Sequence, residues 1–396
     1  MKIEITPKVT WVGKIDYELR NFHGDQITTQ HGSSYNSYLI QDEKNILIDA
    51  VYTPFADEFI VNLKKLIDFE KIDTIVVNHS EPDHSGAIAK LMEIIPDTPI
   101  YCTASGAKAL KGQYHKNWNF VTVKNGDKLS TGGDELIFIE APMMHWPDTM
   151  MCYLSGEGIL FSNDVFGQHF AEASMFDDLV NECDLMFESE KYFANIISPF
   201  SKKASKKLAE IEQMNLNLKM ICPAHGVIWR KNIDKILSLY KKWTTAELEN
   251  QITIVYDTMY GNTRKIAQAI ARGILKAGNN VKFVLHSVAK SDGSDIITDI
   301  FRSKGVIVGS SAINNGILNS IAGILEEISN LDTSNKKAAA FGSYGWSPKA
   351  IDGIGEKLKN AGYIVEAPVL KVQWTPDEEQ LNKAEEFGKE FALSLS

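Results

Sequence analysis

Two histidines and two carboxylates fall within six positions of "NHSEPDHSG", as His79, Glu81, Asp83 and His84. A β-branched run, "DTIVV", precedes them and a helical pattern, "SGAIAKLMEII", follows, which sets all four on a loop at a strand's carboxyl end. Burying that many ionisable groups without partners is costly, and a cation removes the cost. Three more candidates occupy the same kind of place: His145 after "ELIFIEAP", Asp164 after "GILFS" and His225 after "KMIC". Taken singly, these are ordinary turn, cap or core residues. Together, four strand-end loops each supply imidazole or carboxylate, as a metal site mounted on a sheet rim requires. Four histidines and three carboxylates exceed the needs of one tetrahedral zinc and suit two five-coordinate ions sharing one carboxylate. Ligand softness leaves zinc and ferrous iron both open, while carboxylate-rich, thiolate-free ligation suits iron that changes oxidation state.

A second chemical signal lies in "DTMYGNTRKIAQAI", where a strand gives way to a helix. Thr258, Gly261, Asn262 and Thr263, with Met259 and Tyr260 between them, offer hydroxyls and backbone amides at a helix N-terminus, a natural phosphate cradle. The pattern is neither a Walker A loop nor GxGxxG. TxxGNT resembles the FMN phosphate loop of flavodoxins. Two later loops, "GSSAINNGILNSI" and "FGSYGWSPKAI", also leave strand ends, after "GVIVG" and "KAAAF", and resemble flavodoxin-like flavin loops. By that resemblance Ser311, Ala312, Ile313 and Asn314 lie against the flavin, as do Ser343, Tyr344, Gly345 and Trp346, with Trp346 stacking on the isoalloxazine.

The elements that must position these loops divide the chain in two. At 396 residues it is too long for one ordinary core. Residues 1–249 read as short strands in runs ("NSYLI", "NILIDA", "TIVVN", "ELIFIEA", "MMCYLS", "GILFS", "KMICPA") with helices near 54–68, 85–95 and 202–216. That is the pattern of an α+β layered sandwich. From residue 250 to 396 the pattern becomes regular α/β alternation: five strands, "ITIVYD", "VKFVLH", "GVIVGS", "KAAAFGS" and "YIVEAPVLKV", separated by helices. Such alternation predicts a doubly wound parallel sheet with its ligand at the strand carboxyl ends.

Composition narrows the function. A net charge of −10 argues against nucleic acid or an anionic membrane as main partner and leaves room for a small electron carrier or small molecule. No stretch approaches the roughly 20 apolar residues of a bilayer span. "MKIEITPKVTWVG" has no apolar signal core, and Cys102, Cys152, Cys183 and Cys222 form no CxxC pair. Reduced thiols in a cytoplasmic protein are the expectation.

HxExDH followed by single His, Asp and His resembles the metallo-β-lactamase fold in the version found in flavodiiron proteins. Zinc hydrolases of that fold carry HxHxDH; here Glu81 stands where they have a second histidine. The resemblance covers essentially the whole chain. It implies an N-terminal metallo-β-lactamase-like αββα sandwich (1–249) followed by a flavodoxin-like doubly wound parallel sheet (250–396). It implies that His79, Glu81 and His145 hold one iron, Asp83, His84 and His225 the other, and that Asp164 bridges them. In some members the counterpart of His84 turns away from the metal, so its ligation stays open. Two non-haem irons and FMN would reduce dioxygen to water or nitric oxide to nitrous oxide, and the residues do not choose between the gases. Rubredoxin or a similar small protein is the implied electron donor, and a head-to-tail homodimer, or a dimer of dimers, the implied assembly. His23 and Tyr192 resemble residues that overhang the iron pocket and serve as proton or hydrogen-bond donors. Trp146 borders either the dimer contact or the core. This chain departs from the family in having Ser311-Ala312 for Pro-Thr, Pro348 for Gly and Asp25 in place of an aromatic near His23. The rival readings are a zinc-dependent hydrolase fused to a flavodoxin, which Glu81 opposes, and a pure electron carrier, which the complete ligand set opposes.

Overall fold

The computed structural model describes residues 3–245, 247–331, 336–366 and 368–395. The chain divides into two compact units, Met1–Phe22 with Thr29–Thr245, and His23–Thr28 with Ala246–Ser396.

In the first unit two sheets pack face to face. One has seven strands in the order Ile3–Thr6, Val9–Trp11, Tyr38–Gln41, Asn45–Ile48, Ile72–Val76, Ile100–Cys102 and Phe120–Thr122. The other has five: Lys128–Ser130, Glu135–Glu140, Met150–Leu154, Ile159–Asn163 and Met220–Pro223. Alternation along the strands sends one set of side chains inward. Ile40, Ile46, Ile48 and Val76 of the first sheet thus share a core with Phe138, Cys152, Leu154 and Phe161 of the second. The result is an αββα sandwich of the metallo-β-lactamase type. Strands Ile72–Val76 and Ile159–Asn163 pair in parallel with their neighbours Asn45–Ile48 and Met220–Pro223, so the loops leaving each pair emerge on the same edge. All four cysteines are free thiols, and Cys102, Cys152 and Cys222 are buried. Burial pushes the Cys102 thiol up to about 12, which keeps it an inert core group.

The second unit is a parallel sheet in the order Lys282–Ser287, Glu249–Tyr256, Ser303–Ile313, Lys337–Tyr344 and Leu370–Gln373, with the short strand Gly316–Ile317 antiparallel at one end. This is the flavodoxin strand order. Buried clusters cover the sheet: helices Asn262–Lys276 and Glu378–Ser394 contribute to one, helices Gly293–Arg302, Asn319–Ser329 and Lys349–Asn360 to the other. Both faces are therefore buried, as the apolar runs "ITIVY" and "VIVG" require. The last expected strand, "YIVEAPVLKV", is shorter than its apolar run. Its regular part is Leu370–Gln373, Ile364 makes an isolated bridge to Lys337, and Ala367 lies outside the described residues. Pro368 cannot donate to a ladder, which accounts for the late start. Among the described residues, no helix is long and apolar enough to cross a membrane.

Candidate functional site

The loop after Ile72–Val76 carries His79 and Glu81 directly into the one-turn helix Pro82–Ser85, which holds Asp83 and His84. Pro82 at the first helical position ends the strand direction and turns these side chains inward. Asp49, itself in the left-handed region (φ 54°), anchors the loop: Oδ1 accepts from Asn78 N at 2.7 Å and Oδ2 from Asn78 Nδ2 at 3.0 Å. Burial raises the Asp49 carboxyl to about 6. His145 follows Glu135–Glu140, Asp164 comes directly after Ile159–Asn163, and His225 follows Met220–Pro223.

These seven residues converge in two groups, His79, Glu81 and His145, and Asp83, His84 and His225, with Asp164 facing both. In the first, Glu81 Oε2 lies 3.2 Å from His79 Nε2 and 3.3 Å from His145 Nε2. In the second, Asp83 Oδ2 lies 3.1 Å from His225 Nε2 and 3.4 Å from His84 Nε2. The two oxygens of Asp164 divide between them. Oδ2 is 3.6 Å from His145 Nε2 and 3.9 Å from His79 Nε2, whereas Oδ1 is 3.2 Å from His84 Nε2 and 3.5 Å from His225 Nε2. Donors held at about 2.1 Å from one ion, 90–110° apart, are roughly 3.0–3.4 Å from each other. The observed spacings are close to that, and His84 points inward with the rest.

The donor set fits a pair of cations for a second reason. Both oxygens of Asp83, Asp164 Oδ2 and His84 Nε2 are buried without a well-formed hydrogen bond to any described group. Native proteins seldom leave such atoms unsatisfied, and a metal supplies the missing partner. Burial works against charge on Asp164, but the imidazoles of His84, His145 and His79 outweigh it and hold its carboxyl well below the usual range. Burial likewise lowers His84, yet Asp83 and Asp164 win and raise it to about 9.

The surroundings orient the ligands. Ser80 N donates to Asp148 Oδ2 at 2.7 Å, and His79 Nδ1 lies 3.2 Å from the same oxygen, leaving Nε2 to face the cluster. His225 Nδ1 donates to the Ser34 carbonyl at 2.7 Å with the same consequence. Metal-bound histidines are held in this way. Tyr192, at the end of helix Glu182–Tyr192, donates its hydroxyl to Asp164 Oδ1 at 3.0 Å. Burial and the Asp164 charge raise the phenol well above its ordinary value, so its proton stays in place. Trp146 packs edge-on against His79, with ring centroids 5.0 Å apart. His23 is not one of the groups in the cluster. It is exposed, with φ 51°, in the segment His23–Thr28, where Thr28 N donates to Ser294 Oγ at 3.0 Å.

Three residues were not singled out from the sequence. Asp148 stands in "HWPDT", three positions after His145, where an acid beside a ligand was the available signal. His169, five positions after Asp164, is buried with its ring 5.0 Å from Tyr192 and 5.3 Å from His225, and Ser33 Oγ is 2.9 Å from its Nδ1. Trp374 belongs to the second unit's cavity, and no motif marks it.

That cavity, of about 350 Å³, opens at the carboxyl ends of the central strands. Met259, Tyr260 and Asn262 line it from the first loop, Ser311 to Asn314 from the second, and Ser343 to Trp346 from the third. Thr258 Oγ1 accepts from Gly261 N at 3.0 Å, closing the turn in which Gly261 adopts φ 86°. Thr263, in the first turn of Asn262–Lys276, lies 2.8 Å from Ser311 Oγ and 2.9 Å from Ser343 Oγ, so three hydroxyls meet at a helix N-terminus. The rim is aromatic and exposed: Tyr260 at 89%, Trp346 at 82% and Trp374 at 68%. Hydroxyls with a helix N-terminus beneath flat apolar walls fit a phosphorylated, planar ligand such as FMN.

A two-ion ligand cluster on a metallo-β-lactamase sandwich, joined in one chain to a flavodoxin sheet, defines a class of redox enzyme. Residues 34–226 match the family described as "ODP family beta lactamase", and residues 254–388 match "Flavodoxin". The chain is 48% identical over 394 residues to the "Anaerobic nitric oxide reductase flavorubredoxin" of Escherichia coli O1:K1 / APEC, covering 99% of this chain and 82% of that one. The solved structure of rubredoxin oxygen:oxidoreductase from the anaerobe Desulfovibrio gigas is 33% identical, with a TM-score of 0.96 over 100% of this chain and 98% of that one. The flavodiiron protein from Giardia intestinalis is 31% identical, with a TM-score of 0.94 over 100% and 97%. The chain belongs to the flavodiiron protein family and is an oxidoreductase.

Proposed function

We propose that this chain reduces dioxygen to water, nitric oxide to nitrous oxide, or both, at two iron ions held by His79, Glu81, Asp83, His84, His145, Asp164 and His225. The observation that carries the reading is Asp164, whose two oxygens face two different histidine pairs. Glu81 favours iron over a second-histidine zinc site and counts against the hydrolase reading. Bound iron would supply Lewis acidity and electrons, and FMN in the second unit would store two more.

The protein's own part is to hold and orient. Asp148 and the Ser34 carbonyl fix two imidazoles with Nε2 inward, which removes reorganisation from each turnover. Tyr192 keeps a proton at the edge of the pocket, hydrogen-bonded to the shared carboxylate, where a reduced oxygen atom needs one. Reducing dioxygen to two waters consumes four electrons and four protons; coupling two nitric oxides consumes two of each and yields nitrous oxide and water. In the second unit the loop of residues 258–263 would hold the FMN phosphate, residues 311–314 and 343–345 would lie against the flavin, and Trp346 would cover the ring. In this reading residues 1–249 serve as the diiron half and 250–396 as the FMN-binding half. Electrons come from rubredoxin or a comparable small donor, as the relatives' names suggest. A head-to-tail homodimer in the cytoplasm completes the reading, with His23 a further proton or hydrogen-bond donor.

The test is anaerobic reduction of purified protein of known iron and FMN content, followed by addition of each gas. Rapid reoxidation by one or both gases, with water or nitrous oxide as product, supports the proposal. Reoxidation no faster than that of free FMN contradicts it.

A further inference from the structure

Trp374 follows the edge strand Leu370–Gln373 and precedes Asp377, the N-cap of helix Glu378–Ser394. Its φ of 58° lies in the left-handed region, where a bulky residue is strained. Such strain persists where the surroundings over-determine it, and it gathers at ligand sites. The surroundings here are specific. Trp374 N donates to the Tyr344 carbonyl at 2.8 Å, and Gln373 Nε2 donates to the Gly345 carbonyl at 2.8 Å. Both contacts staple the Trp374 turn to the loop that carries Trp346. On its other side, Asp377 closes a capping box with Gln380, which pins the start of the final helix. Tyr344 and Gln373 are register partners on adjacent parallel strands, so the two indoles leave neighbouring strand ends and line one cavity. Each nonetheless leaves most of its surface in water, at 68% for Trp374 and 82% for Trp346. An indole on a tethered, strained backbone, unburied at a cavity mouth, is arranged for a ligand to cover.

We infer that Trp374 is a second aromatic wall of the flavin site: it contacts the isoalloxazine together with Trp346 and shields the ring from water. This rests on FMN being the occupant of the cavity. Two effects follow. Stacking and burial of the ring against Trp374 strengthen binding. Shielding also removes water that would otherwise stabilise the anionic reduced flavin, so Trp374 holds the flavin reduction potential down.

The experiment titrates FMN into full-length protein freed of flavin, for the wild type, W374F and W374A, reading flavin fluorescence and the photochemically measured reduction potential. Iron content and circular dichroism are followed alongside. The expected result is about tenfold weaker binding for W374A, with less quenching and a raised potential, and near-wild-type values for W374F. Should W374A fail to fold, W374L removes the ring while keeping bulk and carries the same expectation. Wild-type affinity, quenching and potential in the ring-less variant would overturn the role of Trp374 while leaving FMN in the cavity. A wild-type chain that takes up no FMN would instead overturn the occupant itself.

Discussion

The two ligand sites are built by opposite means. In the first unit, charged and imidazole side chains from four loops are buried: His79, His84, Asp164 and His225 are each at most 1% exposed. In the second, the cavity is made from hydroxyls, backbone and exposed aromatic rims, and among the described residues no charged side chain lines it. The first arrangement is expensive without its ions and therefore specific for them. The second is tolerable when empty and relies on shape and stacking. Removing ions should destabilise the first unit strongly, whereas removing flavin should change the second little.

Breaking the shared ligand should have the largest effect. Asp164→Ala removes one donor from each histidine pair, and iron per chain and gas turnover should both fall by more than about 100-fold. FMN content should not change, and a variant retaining two irons would break the contrast between the sites. Asp148→Asn tests orientation without touching a ligand. Because it takes away the charged acceptor beside His79 Nδ1, iron affinity measured by chelator competition should drop about 10- to 100-fold.

In the other unit, Thr263→Ala leaves Ser311 and Ser343 without their shared partner, and FMN should bind about tenfold more weakly while iron is unaffected. Loss of iron in this variant would mean that the two sites are not independently built. The smallest effect is expected for Tyr192→Phe. Iron should be retained, and turnover should fall by about three- to tenfold from loss of the hydroxyl that donates to Asp164. Unchanged turnover would remove Tyr192 from the proton supply.

What the sequence revealed follows the same contrast. In a thiolate-free site the side-chain ligands to such cations are chiefly His, Asp and Glu, so their types and their places after strands made the cluster readable at four separated loops. The flavin loops were readable because TxxGNT resembles a known phosphate loop and two further loops leave strand ends, after Ser303–Ile313 and Lys337–Tyr344, beside it. Asp148 was harder to see, since its role depends on folding the loop after His145 back against His79, and no local spacing encodes that contact. His169 and Trp374 escaped for the same reason: a histidine beside Tyr192 and a tryptophan bonded to the Tyr344 carbonyl become neighbours only through tertiary packing. The helices Ala104–Tyr114 and Glu182–Tyr192 also went unread, because their apolar stripes are weak and their N-caps, Thr103 and Asn181, are residues common in any turn. Pro368, by contrast, was visible in the sequence and should have shortened the last expected strand.

The central claim is that Asp164 bridges two irons, and Mössbauer spectroscopy of protein purified from cells grown on iron-57 reads it most directly. Two irons per chain, magnetically coupled in the oxidised protein, are the expected result. A single uncoupled iron, or zinc in place of both, would contradict it.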